Sequence, residues 1–301
     1  MREAIEWLLA NEVRYRGDWA QRDPQLRPGG WSFERANLFY PDLDDTAVAL
    51  IVLARLPLSL RLQPRIAGAI QRAVEWCLGM QSASGGWGAF DRDNDKLIVT
   101  QIPFCDFGEA LDPPSADVTA HMLEAFALLG YDRSHPAVER GYQFLLDEQE
   151  TDGSWFGRWG VNHVYGTGAV LPALAALGED MSSHHVRRAA RWVIEHQNED
   201  GGWGETCASY MDDSLRGIGP STPSQTAWAL MALIATNDQE YAASIRSGLD
   251  YLTAAQREDG TWDEPYYTGT GFPGYGFGAR LDLRDEATLA RISQGLSLIH
   301  I

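Results

Sequence analysis

Three carboxylates within four residues, Asp42-Leu43-Asp44-Asp45, followed by Thr46-Ala47, form the densest group of proton-transfer side chains in this sequence. Carboxylates so crowded repel one another, so at least one should hold its proton to higher pH than a free aspartate does. Phe39-Tyr40-Pro41 precedes the run and Ala47-Val48-Ala49-Leu50 follows it, which argues against free solvation. One reading is structural: Asp44 or Asp45 caps a helix amino end, where acids are favoured. The other is acid chemistry. Asp117 and His121 stand at i and i+4, on one face of a second helix. An imidazolium there would donate to an acid of the run and stabilise its conjugate base. That makes the acid a stronger donor than a reference pKa of about 3.9 allows.

Other chemistries find little support. His184-His185 is adjacent rather than helically spaced, no HExxH is present, and the cysteines lack zinc spacing. Asp91-Arg92-Asp93-Asn94-Asp95 begins like a calcium loop, but Lys96 and Ile102 stand where glycine and a bidentate glutamate are needed. Phosphate-cradling and nucleophile-elbow motifs are missing, so neither a nucleotide cofactor nor serine-hydrolase chemistry is expected. Aromatic residues crowd the loops instead: Phe33, Tyr40, Phe90, Phe104, Trp159, Tyr165 and Phe272 among them. A buried acid lined by aromatic rings suits two reactions. It can cleave a sugar stacked on the rings, or hold a carbocation by cation–π attraction, worth about 2 kcal/mol or more per desolvated ring.

The elements that must position these groups are set by a repeat. Arg72–Trp87, Arg140–Trp155, Arg188–Trp203 and Arg246–Trp262 each run from a basic residue through an aromatic to Gln, a polar turn, Gly and Trp. The pattern predicts a helix ending near the Gln, a turn in which Gly takes positive φ, and a packed Trp. A fainter copy opens the chain, with Trp7-Leu8 followed by Trp19 or Trp31. After each Trp a second signature opens an apolar helix, predicted at about 45–56, 118–129, 168–177 and 226–234. Asp44, Asp117, Tyr165 and Gln225 are read as equivalent positions that converge at the helix starts. The predicted fold is therefore all-α, an incomplete α/α toroid spanning residues 1–295.

Composition agrees. The chain has 301 residues, 45% hydrophobic, enough for a sizeable core. Its 42 acidic residues against 24 Lys and Arg give a net charge of −18, which opposes nucleic acid and anionic lipid. Any membrane contact must then be apolar. No run is long enough to span a bilayer, and MREAIEWLLANE is not a signal peptide. Three dispersed cysteines imply a reducing compartment.

With the Gln-x-x-x-Gly-x-Trp turns, the Asp42–Ala47 run, Ile102–Glu109 and Tyr266–Gly274, the sequence resembles the bacterial squalene–hopene cyclases from about Arg2 to Gly295. The resemblance implies a terpenoid-cyclase toroid that uses no cofactor. It assigns Asp44 as proton donor, Asp42 and Asp45 as flanking carboxylates, and His121 as the partner that strengthens the acid. Phe33, Trp159, Tyr165 and Phe272 match cavity aromatics, Phe90 stands where Tyr is common, and Phe104-Cys105 match a channel constriction. The implied partners are squalene, a membrane surface on the cytoplasmic side, and a second copy in a homodimer. Family members carry a second α-domain, and Leu296–Ile301 depart from the family pattern, reading as a truncated or non-native tail. Two alternatives stay open: a glycan hydrolase or lyase on a similar toroid, and a non-enzymatic repeat scaffold.

Overall fold

The structure is a computed structural model that describes residues 2–33, 40–96 and 111–269. The chain divides into two compact units, Met1–Asp147 and Glu148–Ile301. In the first, α1 (Arg2–Ala10) leads to a short antiparallel pair, β1 (Trp31–Ser32) with β2 (Pro41–Asp42). Then follow α2 (Leu43–Ala54), α3 (Leu58–Arg61), α4 (Pro64–Gly79), α5 (Ala116–Leu128) and α6 (Pro136–Asp147). The second unit holds α7 (His163–Ala176), α8 (His184–Glu195), α9 (Pro223–Ala235) and α10 (Ala242–Ala255). The two-stranded ribbon is the only sheet among the described residues.

Helices alternate in character as the repeat requires. α5 and α7 are buried on nearly every side, whereas α4, α6 and α8 bury one stripe and expose a charged face. Within its own unit, α2 packs on α5 and α4, and α7 packs on α9 and α8. Gly168 allows the α7–α9 approach, because a Cβ there would lie 2.9 Å from the Trp228 backbone oxygen. Leu50, Leu53, Leu123 and Phe126 fill the first core, Leu171, Leu174 and Leu233 the second, and all are fully buried.

Each Gln–Trp turn is tied the same way. Gln81, Gln149 and Gln197 donate to the carbonyls of Gly85, Gly153 and Gly201 within the turn. The same amide nitrogens donate to Ala137, His185 and Ser244, in the first turn of the following amphipathic helix. Trp87 and Trp203 return their indole N–H to Cys77 and Val193, ten residues back. The turn glycines adopt φ of 98°, 103°, 87° and 85° (Gly85, Gly153, Gly201 and Gly260).

A second bond joins each turn to its apolar helix. The backbone N–H groups of Trp31, Trp87, Trp155 and Trp203 donate to the hydroxyls of Thr46, Thr119, Thr167 and Thr226, at 2.9–3.0 Å. Trp31, rather than Trp19, is therefore the tryptophan of the opening copy. Its indole N–H reaches Leu8 of α1. The threonine register also corrects one equivalence: Ser224, not Gln225, stands where Asp44, Asp117 and Tyr165 stand.

The apolar helices start earlier than the sequence pattern predicts, most of all α7, at His163 instead of Gly168. Gly166, Thr167 and Gly168 are weak helix formers, and tertiary hydrogen bonds described below overrule them. In α2 the cap is Asp42, not Asp44 or Asp45.

The turn geometry makes a differential prediction. Alanine at either Gly201 or Gly260 carries the left-handed backbone cost of about 1–2 kcal/mol. At Gly201 the new Cβ would also lie 2.7 Å from the Ser247 carbonyl oxygen, whereas at Gly260 nothing among the described residues lies within 4 Å. Thermal unfolding should therefore show Gly201→Ala melting well below Gly260→Ala; equal melting temperatures would contradict the packing argument.

Candidate active site

The acid run sits at the β2–α2 junction, where Asp42 faces Trp31 across the ribbon. Asp42 adopts extended backbone (φ −124°, ψ 161°), and its Oδ1 accepts the Asp45 N–H at 2.7 Å. Its carbonyl accepts the Thr46 hydroxyl at 2.5 Å. The side chain is buried, and among the described residues Oδ2 finds no hydrogen-bond partner. Burial first, then the charge of Asp45, pushes the Asp42 carboxyl well above the usual carboxylate range. Asp42 thus caps the helix while burial favours its neutral form.

Asp44 lies in the first turn of α2 and meets α5. His121 Nδ1 lies 2.6 Å from Asp44 Oδ1, with the two side chains 17% and 14% exposed. Burial works against a charged imidazole. The charge of Asp44 and its hydrogen bond, then the charges of Asp117 and Glu124, overcome burial and raise His121 to about 9. At neutral pH His121 is therefore an imidazolium donating to Asp44. Glu124 is tied in turn to Arg55 at 2.8 Å.

The loop after Trp87 abuts this junction. Leu43, the first residue of α2, donates its N–H to the Ala89 carbonyl at 2.7 Å. Phe90 stacks edge-on against Tyr40, ring centroids 5.6 Å apart. Asp112, which no sequence pattern singles out, orders this loop by accepting the N–H groups of Ala89, Phe90 and Asp91. An acid before Pro113-Pro114 at the end of a long loop looks, as sequence, like any solvated loop residue. Phe33 follows β1 and is 40% exposed. Phe104, Cys105 and Phe272 lie outside the described residues.

In the second unit Tyr165 is 6% exposed and packs against Trp228 of α9, centroids 4.6 Å apart. Trp159 is half-buried, with the Arg158 guanidinium 5.5 Å from its ring. Gln225 is buried and bonds to the backbone of Val161 and Glu205. Trp228, His163 and Glu205 were not singled out by the sequence pattern, although Glu205 follows a repeat tryptophan by two residues. Among the described residues no group of three or more His, Cys, Asp or Glu could hold a metal ion, and no helix is long and apolar enough to cross a membrane.

The fold belongs to a known class. It matches the type II terpene cyclase MstE from Scytonema with a TM-score of 0.53 at 22% identity, over 74% of this chain and 58% of that one. The profile of the squalene-hopene cyclase C-terminal domain matches residues 1–280, and the chain belongs to that family. It is 58% identical over 272 residues to the squalene–hopene cyclase of Alicyclobacillus acidocaldarius, covering 90% of this chain and 43% of the relative. To the squalene-hopene cyclase of Schizosaccharomyces japonicus it is 51% identical, covering 90% of this chain and 40% of that protein. The chain thus spans about two fifths of the length of these relatives.

The His121 environment fixes a pH dependence. A histidine raised from 6.5 to about 9 on folding adds stability that is complete below the unfolded value and disappears as pH rises through about 9. Denaturant midpoints measured from pH 6 to 10 should fall across this upper range, and His121→Gln should flatten the fall. An unchanged slope in the variant would locate the titration elsewhere.

Proposed function

We propose that this chain is the acid-bearing part of a squalene–hopene cyclase, in which Asp44 protonates a terminal alkene of squalene and starts a cascade of ring closures. The observation that carries this reading is the 2.6 Å contact between the His121 imidazole and Asp44. Protonating an alkene requires an unusually strong acid, because the product is a carbocation. In the state that reacts, Asp44 carries a proton on Oδ2 while Oδ1 takes the hydrogen bond of the His121 imidazolium, which the charges of Asp117 and Glu124 still favour when that of Asp44 is absent. The proton passes from Oδ2 to the terminal alkene carbon, and the alkene π pair forms the new C–H bond. A tertiary cation remains on the neighbouring carbon, and the next double bond attacks it. Asp44 is left as a carboxylate whose charge the imidazolium already balances. Asp42, held neutral, adds no second negative charge that would weaken the donor.

Rings then stabilise the migrating charge. Phe33, Phe90, Trp159 and Tyr165 are the described candidates, with Phe272 a further one and Phe104-Cys105 the channel constriction. Proton loss or water capture ends the cascade, giving hopene or hopanol without a cofactor. The identity of 58% to a named squalene–hopene cyclase supports this substrate. It also draws support away from the glycan-cleaving and scaffold readings. For the full-length protein we infer a monotopic seat on the cytoplasmic side of the membrane, made by apolar contact because the net charge of −18 opposes polybasic anchoring, and a homodimer as its assembly.

Two sets of variants in the full-length protein test the assignment. Asp44→Asn should abolish product from squalene while helicity persists, since Asp42 caps the helix; activity above a few per cent of wild type would remove Asp44 from the donor role. Trp159→Ala should release incompletely cyclised hydrocarbons, seen by gas chromatography with mass spectrometry. Trp203→Ala, a turn residue, should lower the melting temperature with an unchanged product profile. Identical behaviour of the two tryptophan variants would show that the division between cavity and turn residues is wrong.

A further inference from the structure

We propose that Glu205 is a positioning residue for Tyr165: its carboxylate caps the amino end of α7 from another loop and so fixes the Tyr165–Trp228 ring pair. The proposal rests on the reading of Tyr165 as an aromatic of the polyprene cavity. α7 opens without a cap of its own, because Asn162 makes no capping hydrogen bond to the helix. The Asn162 side chain is used elsewhere: its Oδ1 accepts from Gly157 N at 3.3 Å and its Nδ2 donates to Ser209 Oγ at 3.2 Å. Glu205 fills the gap. Its Oε2 accepts the N–H of Val164 at 2.9 Å and of Asn162 at 3.3 Å, and its Oε1 takes His163 Nδ1 at 3.2 Å. A carboxylate at a helix amino end satisfies free N–H groups and complements the helix dipole.

The carboxylate is itself held in place. Gln225 Oε1 accepts the Glu205 N–H at 3.0 Å, while its Nε2 donates to the Glu205 carbonyl at 2.9 Å and to Val161 at 3.0 Å. Gln225 belongs to α9, three residues before Trp228. One polar bracket thus joins the residue before Tyr165 to the helix that carries its ring partner. Burial would push the Glu205 carboxyl up, but the bonds from His163 and Val164 hold it below the usual range, so it remains charged. Its side chain is fully buried and both oxygens are bonded to protein groups, so the role assigned to it is positioning rather than contact with the reactant. The same offset recurs once: Glu264, two residues after Trp262, accepts the Ser224 N–H at the start of α9 at 2.6 Å. α2 and α9 have local caps as well, Asp42 and Thr222, which accept the N–H groups of Asp45 and Gln225, whereas α7 has none.

The test uses the full-length protein with squalene. Glu205→Gln keeps size but puts an amide N–H against a backbone N–H or His163. It should leave squalene consumption within about twofold of wild type, because Asp44 and His121 are untouched, an effect under about 0.5 kcal/mol. The share of incompletely cyclised products should rise severalfold, and the fluorine resonance of 3-fluorotyrosine at position 165 should shift. Gly201→Ala, a turn variant in the same unit, controls for lost stability and should change neither readout. Should Glu205→Gln fail to fold, Glu205→Asp, which keeps the charge on a shorter arm, carries the same two readouts. A wild-type product ratio together with an unshifted resonance would overturn the proposal, as would the same changes in Gly201→Ala. If wild-type protein makes no cyclised product, the squalene reading fails, and the fluorine resonance alone then decides whether Glu205 positions Tyr165.

Discussion

A threonine hydroxyl in the first turns of each apolar helix accepts the backbone N–H of the tryptophan that ends the preceding turn. Four such bonds, at Thr46, Thr119, Thr167 and Thr226, set the rotation and height of four helix starts. Both partners are buried, so an unmade bond would leave a desolvated donor at a cost of about 1–3 kcal/mol. Glutamine fixes the outer end of the same turn by bridging it to the next amphipathic helix. Everything proposed as chemistry hangs from this frame. Asp44 and Tyr165 each stand two residues before such a threonine, and His121 two residues after one.

The electrostatics at the first unit's helix starts follow from placing several acids where little water reaches. Full ionisation of Asp42, Asp44, Asp45 and Asp117 would be prohibitive in a medium of low polarity. The fold resolves the conflict in two ways. Asp42 surrenders its charge to burial, and His121 gains one from the acids around it. The proton transfer proposed for Asp44 would leave a charge-balanced pair, Asp44 and His121, beside a neutral carboxyl. The pair does more than add stability that is lost as pH rises through about 9. In the proposed reaction its value is the acidity it confers on one oxygen of Asp44.

Much of this was legible in the sequence. Helix alternation followed from the Gln–Trp period and the Thr-Ala signature, because those positions make local or repeating contacts. The Asp44–His121 meeting was readable from the acid run and the register of one repeat against the next. What the pattern misplaced was set by distant partners. The start of α7 was hidden because Gly166 and Gly168 disfavour helix, while its cap comes from Glu205. Asp112 was hidden for the same reason, since its three backbone partners lie more than twenty residues away. Gln225 was put one residue out of register because the threonine bond, not the loop length, defines equivalence.

The two helix starts also differ in when they can form. Asp42 finds its N–H partner three residues away, so the acid-bearing turn of α2 can close as soon as that stretch of chain exists. The first turn of α7 waits for a carboxylate 41 residues downstream of Val164, across a loop whose closure costs entropy before any contact repays it. On a chain synthesised from its amino end, the acid-bearing turn is therefore assembled early and locally, and the aromatic pair last. Until Glu205 arrives, the turn that bears Tyr165 lacks its cap, and the ring pair with Trp228 has nothing to fix it.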